Sequence, residues 1–143
     1  MHALCNLAKT CGPLIGRVLI AFIFLQSGYD KVLNYGKSVT LMTQKGVPMA
    51  ELLIIPTIII LLAGGLMILL GWYARWGALA LIVLLIPATV YFHSYWTYAP
   101  AQQLNQFHHF AKNLAILGAL FYIMGLGSGP LSLRKESDSP GAH

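Results

Sequence analysis

The chain has 143 residues, 57% of them hydrophobic and only 9% charged, with a net charge of +5 and a mean hydropathy of +0.70. That length is one domain, and a charged fraction far below the ~25% of soluble domains excludes an ordinary water-soluble fold. The basic residues sit singly at the ends of apolar runs, with no Lys/Arg stripe, RNA-binding aromatic motif or zinc-finger spacing. Nucleic acid is therefore excluded as a partner in favour of lipid.

A bilayer core needs about 20 apolar helical residues, and four stretches supply them. The first is "GPLIGRVLIAFIFLQSGYDKVL", residues 12–33. It is too long for a signal-peptide core and has no small-residue exit. Cys5 and Cys11 precede it, too few for a disulfide framework. The second is "AELLIIPTIIILLAGGLMILLG", residues 50–71. The third is "WGALALIVLLIPATVYFHSYW", residues 76–96, and the fourth "FHHFAKNLAILGALFYIMGLG", residues 107–127. The apolar residues do not alternate with polar ones, and runs this long must satisfy their own backbone, so helix is predicted. The fold expected is all-α, a polytopic four-transmembrane-helix bundle over residues 1–133, followed by a disordered polar tail within "SLRKESDSPGAH".

Four spans place both termini on one side. Lys9, Arg75, Arg134 and Lys135 lie there, with Arg17 near the same edge, against Lys37 and Lys45 in the first opposite loop. The positive-inside rule makes the termini cytoplasmic, consistent with a bacterial inner membrane. Tyr29, Trp72, Tyr73, Trp76, Tyr95 and Trp96 crowd the predicted edges as an aromatic belt would.

Laid out in this topology, polar groups gather at the opposite, outer end. Span one brings Ser27, Asp30 and Lys31; span three brings His93, Ser94 and Trp96; span four brings Gln106, His108, His109, Lys112 and Asn113; span two brings Glu51. Gln106, His109 and Asn113 share a helical face. Asp30 and Lys31 are neighbours about 100° apart and do not pair with each other. Asp30 is expected to face Lys112 or His93, and Lys31 to face Glu51 or a loop carbonyl. The competing account is that each lysine snorkels and each histidine rests at the interface. Arg17, roughly 20 Å from Asp30 along the helix, lies more than a turn inside the inner end. A lipid phosphate or a neighbouring carbonyl is its expected partner. Pro87 should kink span three, and Gly64 and Gly65 allow close helix approach.

These features resemble a known family. "GRVLIAFIFLQSGYDKVLNYG", "GG", "LLGWYARWGAL", "YFHSYW", "FAKNLAILGAL" and "GPLSL" occur in the order and spacing of DoxX membrane proteins over residues 13–133. The resemblance implies a four-helix membrane bundle. It also implies an association with quinone-linked oxidation and thiol-redox defence, the family being named from a subunit of an archaeal thiosulfate-oxidising system. Its motif positions fall on Arg17, Ser27, Gly28, Lys31, His93, Trp96, Lys112 and Asn113. Many relatives carry an acid before the glycines of span two, where this chain has Ala63.

Three functions remain open at this point. The first is a redox-linked subunit holding a quinone through Ser27, Lys31, His93, Trp96, Lys112 and Asn113. His93 is its candidate catalytic proton carrier, since imidazole titrates near pH 6.5. Arg17, Asp30 and Glu51 are assigned structural or lipid-contacting roles. "GLGSGP" lacks the dinucleotide fingerprint and there is no CxxC. Apart from a quinone no cofactor is predicted, no metal site is predicted, and a redox partner protein would exchange the electrons. The second is a non-catalytic assembly or binding protein; the third is a small transporter, for which four helices would have to form a homo-oligomer.

Overall fold

A computed structural model describes residues 2–134, with side chains from Cys5 onward. Residues 135–143, most of the expected polar tail, lie outside the described residues. Five α-helices follow in order: α1 His2–Leu33, α2 Tyr35–Gln44, α3 Ala50–Leu70, α4 Ala74–His93 and α5 Pro100–Leu126, with a 3-10 turn Tyr95–Thr97 before α5. No strand occurs among the described residues. Helices α1, α3, α4 and α5 are each long and apolar enough to cross a bilayer. The molecule is an all-α integral membrane fold. Its exterior fits lipid: Leu19, Phe22, Leu52, Val83 and Phe121 are all exposed along the spans.

The spanning helices are packed in the order α1, α3, α4, α5. One core joins all four, with Ala21 and Phe24 from α1, Ile68 from α3, Ala78 and Leu81 from α4, and Leu120 from α5. Backbone nearly touches backbone between α3 and α4. A Cβ on Gly64 would lie 3.3 Å from the Gly77 carbonyl oxygen, and one on Gly77 would lie 3.1 Å from that of Gly64. Small residues at such crossings let van der Waals contact replace the hydrophobic drive that lipid removes. At Gly28 a Cβ would meet Leu62 at 2.7 Å, which fixes the α1–α3 approach.

Two helix starts and one added helix differ from expectation. Helix α1 begins at His2, not Gly12, and α5 begins at Pro100, not Phe107. Hydropathy marks immersion rather than helicity, so the polar but helix-forming "AQQLNQ" was invisible to it. Pro100 occupies the first turn of α5, where its missing N–H has no cost. Helix α2 occupies the expected first loop and packs Met42 on Ala50 and Ile54 of α3. Only Val39 and Met42 mark its inner face, too short a pattern to stand out.

Two ends can now be distinguished: a turn end, with the α3–α4 turn, and a loop end, with α2 and the α4–α5 connection. At the turn end Gly71 caps α3 with φ +64°. Residues 128–134 then fold back as a strap. Leu133 N–H donates to Leu70 O at 3.0 Å and Arg134 N–H to Gly71 O at 3.2 Å. These bonds satisfy carbonyls that a helix C-terminus leaves unpaired. Arg17 is 2% exposed, and its Nη2 donates to Leu131 O of the strap at 2.7 Å. A methyl group at Gly71 would overlap the Arg17 guanidinium and Ser132. Arg17 therefore lies level with the end of α3. Its partner is a neighbouring carbonyl, one of the two partners expected for it.

Replacing Gly77 with Val should force α3 and α4 apart, at a cost of about 1–3 kcal/mol. Gly118→Ala, whose added methyl meets nothing within 4 Å, should stay within about 0.5 kcal/mol of the parent. Unfolding of the two variants in mild detergent measures the contrast.

Candidate polar site at the loop end

The α4–α5 interface carries polar groups in two layers at the loop end. His93, the last residue of α4, shares a 3.1 Å hydrogen bond between Nδ1 and Gln106 Oε1. A neutral imidazole that donates its Nδ1 hydrogen to this oxygen keeps Nε2 as an acceptor. The His93 and His109 rings stack with centroids 5.1 Å apart and planes 21° apart. One turn deeper, buried Asn113 Nδ2 donates to Thr89 Oγ1 at 3.0 Å. Thr89 in turn donates to Leu85 O at 2.7 Å. Pro87 sits inside this turn of α4 and provides no N–H of its own.

A cluster of aromatic rings stands at the same end. Tyr95 lies edge-on to Trp96, Phe107 and Phe110 at 5.2, 5.3 and 5.5 Å. Such T-shaped pairs add to their buried area. Trp96 itself is 55% exposed, placing its indole at the rim. Lys45, at the end of α2, hydrogen-bonds the Tyr98 hydroxyl, and that hydroxyl also reaches Phe92 O at 3.4 Å. The two loops of this end are thereby tied together.

The other predicted residues are held differently. Lys31 Nζ donates to Ser27 Oγ at 3.1 Å, one turn back on α1. Asp30 Oδ1 accepts from Asn34 Nδ2 at 2.8 Å. Each bond spans four residues along the chain, in place of the contacts anticipated for Asp30 with Lys112 or His93 and for Lys31 with Glu51 or a loop carbonyl. Lys112 and His108 are exposed on the outer face of α5. Glu51 stands exposed in the first turn of α3, where a negative charge suits the helix dipole. Its backbone carbonyl accepts from the Tyr35 hydroxyl at 3.4 Å. Among the described residues no three His, Cys, Asp or Glu side chains are grouped to hold a metal ion. Thr89, Lys45 and Tyr98 escaped the sequence reading. Thr89 carried one usable signal, a polar residue a turn before His93 on the same face.

The arrangement gathers hydrogen-bond donors and acceptors, a stacked pair of imidazoles and a set of aromatic rings at one end of the bundle.

Residues 12–94 match the DoxX family. The chain is 32% identical to the inner membrane protein YqjF of Escherichia coli over 123 residues, 85% of this chain and 88% of the relative. It is 28% identical to the inner membrane protein YphA of the same organism, covering 86% and 88%. It is also 28% identical to the Surfeit locus protein 4 homolog of Drosophila melanogaster over 130 residues, 90% of this chain but 42% of that protein. No solved structure matches.

The Thr89–Asn113 bond should contribute a coupling of about 0.6 kcal/mol, and at most about 1.7 kcal/mol, the range for interhelical bonds in membranes. A double-mutant cycle on Thr89→Val and Asn113→Leu measures it. The double variant should be more stable than Asn113→Leu combined additively with Thr89→Val.

Proposed function

The chain belongs to the DoxX family, and on that premise we propose that it is a redox-linked, quinone-associated membrane subunit whose ligand sits at the loop end. The observation that carries this reading is the His93–Gln106–His109 cluster, at the end of the bundle that also holds the Tyr95 and Trp96 rings. Quinone carbonyls accept hydrogen bonds, and the flat ring stacks on aromatic side chains. The isoprenoid tail needs an open lipid-facing side, which the outer surface of α5 gives. His93 is the proposed proton carrier, with Nε2 as its exchanging atom. Asn113 and Trp96 flank it, and Lys112 and the Ser27–Lys31 pair supply the cationic donors of the same end.

Reduction of a quinone to a quinol takes two electrons and two protons. The electrons are assigned to a partner protein, since the chain has neither a CxxC nor a dinucleotide fingerprint. Two relatives carry the name of inner membrane proteins, which supports the same membrane here. The turn end is assigned to the cytoplasm, because Lys9, Arg17, Arg75 and Arg134 lie there. A second reading, an assembly protein without a reaction, is favoured by one observation: little of the chain lies outside the four spans.

Extraction of protein purified in mild detergent separates the two. The redox reading expects a quinone in the extract. His93→Ala and Gln106→Ala should lower its occupancy about tenfold, the worth of one hydrogen bond in a dry site. Arg17→Gln should leave it unchanged. Quinone-free extracts with a co-purifying protein would replace this reading with assembly, and equal occupancy in all variants would move the ligand elsewhere.

A further inference from the structure

A second site lies at the opposite end, in the seam between α1 and α5. The two helices line a groove of about 800 Å³ there, within the range of pockets that hold drug-sized molecules. Arg17 lines it and is 2% exposed. Its Nη2 bonds Leu131 O, but Nε and Nη1 have no acceptor among the described residues. A guanidinium does not shed its charge in a protein, and a buried cation without partners is costly. The site is therefore short of a negatively charged acceptor.

The chain itself offers none among the described residues. Asp30 and Glu51 belong to the loop end, and Glu136 and Asp138 lie outside the described residues. Lys9 also lines the groove, so its polar end carries two cations. A second copy docked symmetrically in the seam would bring Lys9 and Arg17 against the same pair, which like-charge repulsion opposes.

The walls say what accompanies the charge. Ile20, Ile123 and Leu126 line the groove. Gly12, Gly16 and Gly118 line it too, and a methyl group on any of them would meet nothing within 4 Å. These glycines serve no close packing within the chain and leave the groove wide. From Leu126, at the level of the strap, the α5 wall descends roughly 12 Å to Gly118 at 1.5 Å per residue. A charged head at the membrane boundary and an apolar slot running inward are the two halves of an amphiphile.

We infer that the α1–α5 seam binds one anionic phospholipid, its phosphate on Arg17 with Lys9 as the outer cation and an acyl chain running inward between Ile20 and Gly118. Nε and Nη1 are covered, so the phosphate reaches them by displacing the Leu131 carbonyl or turning the guanidinium. The inference is independent of the quinone reading, which concerns the other end of the bundle.

Native mass spectrometry of the full chain in neutral detergent tests it, with equal amounts of phosphatidylglycerol and phosphatidylcholine added. The expected result is one phosphatidylglycerol retained in preference. Arg17→Gln should cut that retention at least about tenfold, as loss of a charge-assisted contact would. Lys37→Gln, which removes the same charge at the loop end, should not. Gly118→Leu leaves Arg17 in place but fills the slot, so it should also release the lipid; it keeps the test valid if Arg17→Gln fails to fold. Equal retention of both lipids, or full retention in Gly118→Leu, would overturn the inference. So would inorganic phosphate displacing the lipid at equal concentration, which would mark a soluble anion, or a dimer that forms in place of lipid binding. Phosphatidylglycerol binding that appears only in Glu136→Gln/Asp138→Asn would overturn it as well, by assigning Arg17 to a carboxylate of the chain.

Discussion

A bilayer core offers no hydrogen bonds, so the last carbonyls of a spanning helix need partners at its edge, from the chain or from interfacial water. At the turn end this constraint shapes everything. The strap's Leu133 and Arg134 N–H groups close the end of α3, and Arg17 holds the strap through Leu131 O. Helices α3 and α5 both terminate here, so their dipoles bring partial negative charge toward the same guanidinium. Arg134 stacks over Tyr73, its guanidinium carbon 4.1 Å from the ring centroid, and fixes the strap to the α3–α4 turn. Gly71 admits all this because it has no side chain to obstruct Arg17.

The two ends are thereby given different chemistry. At the loop end, polar side chains satisfy one another across α4 and α5, through His93 with Gln106 and Asn113 with Thr89. Such pairs can open toward a neutral polar ligand at little electrostatic cost. The turn end holds a cation that its own surroundings satisfy only in part. It faces a groove because α1 is packed on α3 and leaves its other flank toward α5. Redox chemistry at one end and lipid anchoring at the other would then use separate residues of one small bundle.

Much of this was legible in the sequence. Long apolar runs gave the four spans and their shared all-α character, because helix is the one form in which such runs close their own backbone. The family motifs were visible too, but their physical roles were not. Gly28 proves to be a packing residue, and "GPLSL" is the strap that closes α3 and receives Arg17. The Arg17–Leu131 bond joins residues 114 positions apart, which periodicity cannot reveal. Face arguments within a single helix succeeded, as with Gln106 and His109 beside His93. Arguments across helices fared less well, since sequence gives the depth of a residue but not which helix lies beside it. Lys31 and Lys112 share an end, yet one is bonded within α1 and the other is exposed on α5.

The most direct measurement is a crystal structure grown from a lipid mesophase doped with phosphatidylglycerol. The account predicts phosphate oxygens within hydrogen-bonding distance of Arg17 and an acyl chain running between α1 and α5 past Gly118. A seam closed by direct α1–α5 packing, or an Arg17 fully bonded by protein acceptors, would contradict it.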